Sequence, residues 1–269
     1  MAITLRSLRE IELMRRAGAV VADVLSKMKE IAEPGITTAH LDSVALQMAA
    51  EAGAVALFKG VRAPFSQIAF PGAICASMND EVVHGIPSGK AKLCDGDILS
   101  IDFGVRLDGY CADAAITIAI GDISRERRTL MDVTKRVLDT AIEKSAPSVR
   151  WSQVAAEMQR CAEDAGFSVV RDFVGHGIGR QMHEEPRVPN FVSNELLAHD
   201  VVLAEGMVLA VEPMINEGSC GVRTLKNGWT VVTKDGKSSA HFEHTIAIVE
   251  DGCQVLTVKG RQEAAQTNQ

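Results

Sequence analysis

A repeat within the chain limits the fold of this 269-residue sequence more than any other feature. Apolar residues at helical spacing predict two pairs of helices, and a proline divides each pair. The second helix of each pair ends at a glycine 19 residues after that proline, at Gly53 after Pro34 and at Gly166 after Pro147. At the resulting offset of 113 positions, similar residues align: Ile36 with Val149, Leu41 with Val154, Ala49 with Ala162 and Ala52 with Ala165.

The repeat has two explanations at this point, two unrelated amphipathic helix pairs or two similar halves that pack around a shared site. We favour two α+β halves, approximately residues 7–121 and 122–256, because the helix pairs share their spacing. No proline-rich or serine-rich linker separates the halves, so we expect a single domain that spans residues 1–269. We expect residues 257–269 to form a disordered tail.

Short polar motifs predict where the helices begin and end. Ser7 and Glu10 form a capping box before the first helix. Thr38 is expected to cap the second helix and Ser152 the fourth. The third helix stops before Pro147, and its apolar positions are Leu130, Val133, Val137 and Ala141.

Alternating apolar and polar residues predict two hairpins in the rest of the chain. The first joins residues 97–105 to residues 112–120 through an Asp-Gly turn. The second joins residues 229–232 to residues 241–248 around residues 234–236. Each hairpin follows one of the predicted helix pairs, which supports the arrangement in two halves.

Two acidic residues interrupt the apolar strands of the first hairpin, Asp102 on one strand and Asp113 on the other. A turn at Leu107 and Asp108 pairs them directly, whereas a turn at Asp108 and Gly109 makes them diagonal neighbours. In both alternatives the two side chains share one face. Two carboxylates on a buried face repel each other unless one is protonated or a cation lies between them. The hairpin therefore predicts a cation site.

Three more polar residues lie in apolar or glycine-rich surroundings: Glu212 after an apolar strand, Glu243 in the second hairpin and His176 among closely spaced glycines. A structural hydrogen bond could explain any one of the four acids alone. Together, one histidine and four carboxylates suit a divalent ion such as Mn, Fe, Co or Zn. Because five ligands exceed the need of one ion, we expect a pair of metals.

Composition argues against several other classes of function. The chain has 28 Lys and Arg against 35 Asp and Glu, a formal net charge of −7, and no basic stripe that would indicate nucleic-acid binding. It has no run of 18 apolar residues, so we expect no membrane span. Six cysteines without a Cys-x-x-Cys pair, and no apolar signal core, favour a reduced cytoplasmic protein. A dinucleotide fingerprint, a phosphate loop and a serine-hydrolase elbow are all missing from the sequence.

Six segments resemble the type I methionine aminopeptidases of peptidase family M24, in the order and spacing of that family. The similarity extends from about Ile11 to Leu256, and it is carried by residues 81–87, 100–105, 110–113, 175–186, 211–214 and 242–245. It implies the α+β pita-bread (creatinase/aminopeptidase) fold, in which two pseudo-symmetric halves form a curved antiparallel sheet flanked by helices. Such enzymes remove the N-terminal methionine from nascent proteins and peptides, preferably when the second residue is small.

The resemblance also implies a role for each of the five ligands. Asp102 would chelate one of two divalent ions, Asp113 and Glu243 would bridge them, and His176 and Glu212 would complete the shell of the other. A water activated by the two cations would attack the peptide bond. Glu212 would take the water proton and pass it to the leaving amine. The ion could be Co, Mn, Fe or Zn, because the ligand types do not separate these metals.

Further residues would contact the substrate. His183 corresponds to the histidine that stabilises the scissile carbonyl, and His84 to the one that orients the substrate. The walls of the methionine pocket are expected at Phe70, Cys75, Met182 and Trp229. At Met182 and at Gln67 the family often places an aromatic ring, which leaves the width of the pocket open.

The remaining expectations concern subtype and partners. Only 36 positions separate His176 from Glu212, too few for the helical insertion of type II enzymes. We expect a monomer that acts on N-terminal methionine peptides and nascent chains, with no nucleic-acid or membrane partner. Transient contact with ribosomes is compatible with such substrates.

Three other functions fit parts of the pattern. An Xaa-Pro aminopeptidase or prolidase shares the fold and generally carries an extra N-terminal domain. A non-catalytic peptide-binding protein of the fold usually lacks some of the ligands. A metal-free hydrolase of the fold would lack the paired aspartates.

Overall fold

The computed structural model describes residues 3–63 and 66–259. Four long helices form the two predicted pairs, and one short helix follows them. The helices are α1 (Leu8–Ile31), α2 (Thr38–Glu51), α3 (Arg125–Lys144), α4 (Trp151–Asp164) and α5 (Asn194–Ala198).

The strands of the first part of the chain are β1 (Val55–Ala56), β2 (Cys75–Met78), β3 (Glu81–Val83), β4 (Ile98–Leu107) and β5 (Tyr110–Ala119). Those that follow α4 are β6 (Ser168–Val169), β7 (Gly175–Gly177), β8 (Glu184–Val188), β9 (Val208–Val211), β10 (Met214–Asn216), β11 (Val222–Thr224), β12 (Val231–Thr233), β13 (Ser239–His241), β14 (Glu243–Val249) and β15 (Gly252–Val255).

An antiparallel sheet of nine strands joins the two halves. Its order is β1-β4-β5-β14-β9-β7-β8, with β2 paired to β4 and β15 paired to β14. The long strands β4 and β5 of the first half lie beside β14 and β9 of the second half, so the centre of the sheet contains strands from both. Two sheets of three strands, β13-β10-β6 and β11-β12-β3, complete the β structure described.

Each helix pair packs its apolar face against its own part of the central sheet. Val21, Met28 and Leu41 of α1 and α2 lie in one core with residues of β4 and β5. Val137 and Trp151 of α3 and α4 lie in a second core with residues of β9 and β14. All five side chains are fully buried. The hydrophobic effect therefore holds both layers, and the prediction of an α+β fold with helices flanking an antiparallel sheet is confirmed.

The starts of the helices match the predictions only in part. Ser7 and Glu10 form the predicted capping box of α1. The cap of α2 is Thr37 rather than Thr38, because the Thr37 side chain accepts the N–H of His40. Ser152 lies inside the first turn of α4 instead of capping it, and its N–H donates to Oδ1 of Asp200 at 3.0 Å.

The repeat of 113 positions is present in the structure. Helix α4 lies at that offset from α2 at both its first and last residue. The aligned residues also share their burial. Leu41 and Val154 are fully buried, Ala49 and Ala162 are buried, Ile36 and Val149 are half-buried, and Ala52 and Ala165 are exposed.

Backbone hydrogen bonds repeat as well, and their donors just before β4 and β9 are offset by 110 positions. The N–H of Gly96 donates to Ile120 at 2.9 Å, as the N–H of Gly206 does to Ile248 at 3.0 Å. The N–H of Leu93 donates to Ile36 at 2.8 Å, as the N–H of Leu203 does to Val149 at 2.8 Å. The two halves therefore share a backbone framework and not only a pattern of helices.

The first hairpin adopts one of the two turns considered from the sequence. Leu107 pairs with Tyr110, so Asp108 and Gly109 form the turn, and both have positive φ, 50° and 83°. Positive φ at both central residues is the geometry that Asp-Gly favours. Asp102 then pairs with Ala115 and Asp113 pairs with Gly104, which makes the two aspartates diagonal neighbours.

The second predicted hairpin is wrong. Strand β12 pairs with β11 and β3, whereas β14 pairs with β5, β9 and β15. The chain after β12 does turn at Gly236, where φ is 74°, but it then enters β13, which belongs to another sheet. A turn motif fixes the local reversal of the chain and leaves the partner strand to long-range packing.

Within the expected tail, Thr257 is buried, and its hydroxyl lies 2.8 Å from Nδ1 of His244. Residues 260–269 of that tail lie outside the described residues. All six cysteines are free; Cys75 and Cys111 are buried, while Cys94 and Cys220 are exposed. Among the described helices, none is both long and apolar enough to cross a membrane.

Candidate metal centre and cleft

Five adjacent strands each supply one of the predicted ligands. In the order of the sheet, Asp102 lies on β4, Asp113 on β5, Glu243 on β14, Glu212 directly after β9 and His176 on β7. The two halves contribute unequal shares, two aspartates from the first and three ligands from the second. The pairing of β5 with β14 is what brings the two shares together.

Three of the five residues form a compact group. Asp113, His176 and Glu243 each offer a ligand atom, these atoms all lie within 4.8 Å of one another, and the residues are buried. Glu212 joins them, with Oε1 3.6 Å from Nε2 of His176. Asp102 lies next to the group, because it is the diagonal neighbour of Asp113 on the paired strands β4 and β5.

Several carboxylate oxygens at this place have no protein partner. Oδ1 of Asp102, Oδ1 of Asp113 and Oε1 of Glu243 are buried, and none of them has a hydrogen bond among the described residues. Buried polar atoms without a partner are rare in native proteins, and a bound ion is one of the explanations. Hard oxygen donors together with one imidazole fit divalent cations of the first transition row, so the residues present fit a metal.

Burial and mutual repulsion raise the pKa values of all four carboxyl groups. Burial raises the pKa of Asp113 to about 7. The pKa values of Asp102, Glu212 and Glu243 rise well above their usual range. Burial of each group is the larger cause, and repulsion by neighbouring acids is the smaller one. Without cations the raised pKa values therefore favour the protonated form of these groups, and Asp113 is about half protonated at pH 7, whereas cations would favour the ionised form of all four.

His176 is oriented for ligation. Its Nδ1 lies 2.9 Å from the carbonyl oxygen of Gly177, and a carbonyl can only accept a hydrogen bond. Nδ1 therefore carries the proton, and the lone pair is on Nε2, the atom that faces Glu212. Burial lowers the pKa of His176 to about 4, so the ring is neutral at pH 7. A neutral imidazole whose other nitrogen donates to a carbonyl is the usual form of a ligating histidine.

Glycines make room for this arrangement. A Cβ on Gly177 would overlap the backbone of Glu185 on the neighbouring strand β8. A Cβ on Gly104 would lie only 3.0 Å from Oδ1 of Asp113. The strands can approach this closely only because side chains are missing at these positions.

A cleft opens beside the five residues. It has a volume of about 410 Å³ and is lined by His84, Phe173, His176, His183 and Glu212, among others. The His183 ring lies 4.4 Å from that of His176. Burial lowers the pKa of His84 to about 4 and lowers that of His183 as well, so both rings are neutral at pH 7. The structure thus brings both predicted histidines to the rim of the candidate metal centre.

His84 is held in an unusual backbone conformation. Its φ is 58°, a left-handed value that is uncommon outside glycine. Its carbonyl accepts the hydroxyl of Thr230 at 3.3 Å, and its ring meets that of Phe173 edge to face at 5.5 Å. Left-handed residues of this kind cluster at active sites, where the surrounding structure fixes them.

The four expected pocket walls belong to one apolar cluster. Phe70, Cys75 and Trp229 are buried in it, and Met182 packs against it. Phe70 and Trp229 meet edge to face at 5.2 Å, and Nε1 of Trp229 donates to the carbonyl of Ile68 at 2.9 Å. Gln67 is exposed.

Sequence reasoning missed several residues at this site. Phe58 and Ile86 also belong to the apolar cluster, and Phe173 packs on His84. Phe58 and Phe173 are aromatic residues in segments without periodic pattern, so nothing local marks them. His241 was missed too, although it lies 4.0 Å from Oε2 of Glu243; burial lowers its pKa to about 3. Its place two residues before Glu243 could have indicated it.

Comparison with protein families agrees with this site. The model of metallopeptidase family M24 matches residues 12–250. A methionine aminopeptidase of Clostridium perfringens is 47% identical over 95% of this chain and 99% of its own length. The methionine aminopeptidase of Escherichia coli is 38% identical over 96% of this chain and 95% of its own length.

Solved structures show the same fold. The methionine aminopeptidase of Thermotoga maritima is 38% identical, with a TM-score of 0.89, and covers 96% of this chain and all of its own. The prolidase of Pyrococcus horikoshii shares the fold alone, with 20% identity and a TM-score of 0.74; the match covers 96% of this chain and 64% of the prolidase. The pita-bread fold expected from the sequence is therefore confirmed, and the chain belongs to metallopeptidase family M24, among its methionine aminopeptidases.

Proposed function

We propose that the protein removes the N-terminal methionine from peptides and nascent proteins, preferably when the second residue is small. One observation carries the proposal more than any other. Five adjacent strands bring Asp102, Asp113, His176, Glu212 and Glu243 together beside a cleft, in a chain whose relatives of 38–47% identity are named methionine aminopeptidases. Hydrolysis of a peptide bond is the chemistry of that family.

We propose two divalent ions per chain, held by these five residues. Asp102 would bind one ion, His176 and Glu212 the other, and Asp113 and Glu243 both. The unpartnered oxygens of Asp102, Asp113 and Glu243 support this assignment, because each can accept a cation without losing a protein hydrogen bond. Bound ions would supply Lewis acidity, which lowers the pKa of water toward neutrality. Co, Mn, Fe and Zn all remain candidates for the native metal.

Glu212 is proposed to move the proton of the reaction. The attacking water adds its oxygen to the carbonyl carbon of the first residue, and the bond from that carbon to the next nitrogen breaks. Glu212 accepts one water proton and delivers it to the leaving nitrogen, so that methionine and a shortened peptide are released. Oε1 of Glu212 lies next to Nε2 of His176, at the edge of the cleft where both steps would occur.

The two histidines of the cleft are proposed to bind the scissile amide. Because burial keeps their pKa values below 6.5, each ring is neutral and carries one N–H donor at pH 7. His183 would donate to the scissile carbonyl and stabilise the charge that develops on its oxygen. His84 would orient the substrate, and its own ring meets the rings of Phe173 and Trp229 edge to face.

The apolar cluster is proposed to receive the methionine side chain. Phe70, Cys75, Met182 and Trp229 pack in one apolar cluster whose residues come from both halves of the chain. Methionine is flexible and polarisable, and its sulfur contacts aromatic rings favourably. Phe58 and Ile86 extend the same wall and would limit the depth of the pocket.

A panel of short peptides tests the function. Purified protein with Mn or Co should release methionine from Met-Ala-Ser and far less from a peptide with a bulky second residue. Asp102→Asn protein, prepared in the same way, is the control for contaminating peptidases. Intact Met-Ala-Ser with every metal would refute the proposal, and cleavage of Xaa-Pro peptides instead would assign the chain to the prolidase-like alternative. Metal and peptide binding without cleavage would favour a non-catalytic binding protein.

We further propose that residues 1–269 act as one catalytic domain and as a monomer in the cytoplasm, with only transient contact with ribosomes. The continuous central sheet, which contains strands of both halves, supports a single domain. Light scattering during size-exclusion chromatography tests the monomer. Co-sedimentation with ribosomes at low and moderate salt tests the contact.

A further inference from the structure

The segment before α1 buries an arginine. Arg6 is only 8% exposed, and its N–H donates to the carbonyl of Gly206 at 2.7 Å. Its guanidinium forms an ion pair with Oε2 of Glu184, a residue 178 positions away in the sequence. A buried charge is costly without a partner, so this contact must be kept in the folded protein.

The partner of Arg6 is the first residue of β8, and it is also the last residue of the segment 179–184, which we call the 179–184 loop. While Oε2 of Glu184 accepts the guanidinium of Arg6, Oε1 accepts the N–H of Gln181 at 3.0 Å. Within the loop, the N–H of Gly179 donates to the carbonyl of Gln181 at 3.0 Å. The guanidinium lies against Gly179, where a Cβ would overlap it. Arg6 therefore contacts both ends of the 179–184 loop.

The first residues of the loop are fixed separately. The N–H of Cys111 donates to the carbonyl of Gly179 at 2.7 Å, and the guanidinium of Arg180 donates to the hydroxyl of Tyr110 at 2.6 Å. That hydroxyl in turn donates to Glu10 at 3.0 Å. These bonds hold the beginning of the loop. At its end, the backbone of Glu184 pairs with Gly177 of β7, and its side chain is held by Arg6.

His183 immediately precedes Glu184, so a shift of Glu184 moves the imidazole that faces the cleft. We propose that Arg6 is a positioning residue for His183, which it holds in place through Glu184. This inference rests on the proposed function, in which His183 contacts the scissile carbonyl. A displacement of about 1 Å in a positioned group can cost about 100-fold in rate, so a contact outside the cleft can control the reaction.

If the ion pair of Arg6 and Glu184 had only a structural role, a different result would be expected. Loss of the pair would lower the stability of the protein, and it would change kcat by the same factor with or without the His183 imidazole. A positioning role requires that the effect depend on that imidazole, and a double-mutant cycle measures this dependence.

The experiment measures kcat and KM for Met-Ala-Ser in the Mn-loaded protein and in three variants, Arg6→Met, His183→Ala and the double variant. We expect Arg6→Met to lower kcat by about 10-fold to 100-fold and to change KM by less than about twofold. In the His183→Ala background, Arg6→Met should change kcat by less than about twofold. Arg6→Lys, which keeps the charge, should restore most of kcat.

Arg16→Met is the matched control, because Arg16 also pairs with an acid, Asp108 at 2.8 Å, but both side chains are about half exposed. It should leave kcat and KM unchanged. If circular dichroism shows that Arg6→Met is unfolded, Glu184→Gln replaces it in the same cycle.

An Arg6→Met protein with the kcat of the parent, or with an equal loss in the His183→Ala background, overturns the inference alone. A parent protein that releases no methionine overturns the proposed function and this inference with it.

Discussion

The two halves of the molecule share a backbone and differ in the side chains that they direct to the centre. The hydrogen bonds at the starts of β4 and β9 repeat at an offset of 110 positions, and this offset places Asp102 and Glu212 at equivalent points. The halves differ on the neighbouring strands β2 and β7. Ser77 on β2 takes the place that His176 takes on β7, because each pairs with the corresponding residue of β4 or β9. A symmetric framework therefore carries an asymmetric set of ligands.

The divergence is largest on the two central strands. Glu243 on β14 pairs directly with Ala115 on β5, and these residues take equivalent places in the two halves. One side is an acid and the other a methyl group, which leaves space for the carboxylate and for the diagonal pair on the first hairpin. Neither half contains a complete ligand set, so the site exists only where the halves meet.

The largest effect on activity is expected when a metal ligand is replaced, for example Asp102 or Glu212, which occupy equivalent points of the two halves. Asp102→Asn keeps the shape of the side chain but removes its charge, so methionine release should fall by at least about 1,000-fold and bound metal should fall with it. Glu212→Gln, at the point equivalent to Asp102 in the second half, should also abolish turnover. The same result is expected for Glu243→Gln. Elemental analysis and peptide assays measure both quantities.

Ser100→Ala is the control for this set, because Ser100 lies on the same strand and its hydroxyl hydrogen-bonds to that of Thr117, at 2.9 Å, rather than to a proposed ligand. It should retain metal and activity. An Asp102→Asn protein with full metal content and full activity would remove Asp102 from the ligand set.

A smaller effect is expected from the apolar cluster, where the two halves also meet. Phe70→Ala removes the ring that packs on Trp229 and should raise KM for Met-Ala-Ser about tenfold, with a loss of about 3 kcal/mol in the free energy of unfolding. Met182→Leu conserves volume and should change KM by less than about threefold. An unchanged KM in Phe70→Ala would place the methionine side chain elsewhere.

His84 of the first half should make stability depend on pH. Burial lowers its pKa from 6.5 to about 4, so between these values the folded protein binds fewer protons than the unfolded chain. The contribution of His84 to the free energy of unfolding is therefore fully present above pH 6.5 and is lost as the pH falls toward 4. Because the residue is partly exposed, we expect about 1 kcal/mol from this group between pH 7.5 and pH 5.

Asn is the replacement of choice, because it tolerates the left-handed backbone of His84. In urea unfolding of metal-free protein, His84→Asn should reduce the loss between pH 7.5 and pH 5 by that amount. An identical pH dependence in the variant and the parent would contradict the lowered pKa.

The smallest effect tests whether the two helix pairs are equivalent in energy. Ala49→Gly and Ala162→Gly are the same change at aligned, buried positions of α2 and α4. Each should lower the free energy of unfolding by about 1 kcal/mol, and the two values should agree within about 0.5 kcal/mol. Chemical denaturation measures both, and a larger difference would show that equal burial does not mean equal packing.

Much of the framework follows from local sequence. The long helices, the turn at Asp108 and Gly109 and the capping box of Ser7 depend on residues within a few positions of one another. The pairing of β12 cannot be predicted from nearby residues. Any apolar strand can satisfy its hydrogen bonds, and only long-range packing selects β3 and β11.

The candidate site divides in the same way. Asp102 and Asp113 could be predicted together from one hairpin, because the pleat of two paired strands fixes which side chains share a face. That His176 and Glu243 join them depends on the pairing of β14 with β5 and of β7 with β9, which no local pattern encodes. The family resemblance supplied that relation. Phe58 of the apolar cluster was missed because no motif marks it, and Ile86 was missed although it lies in the segment 81–87 that carries the resemblance.

The caps of α2 and α4 have a consequence for the order in which the chain can fold during synthesis. Thr37 directly precedes α2 and caps it, so the capping group of that helix is present as soon as its own segment leaves the ribosome. The N–H of Ser152 in α4 must wait for Asp200, 48 residues later. Since contacts distant in sequence form late, the first helix pair can settle on β4 and β5 while the second is still incomplete.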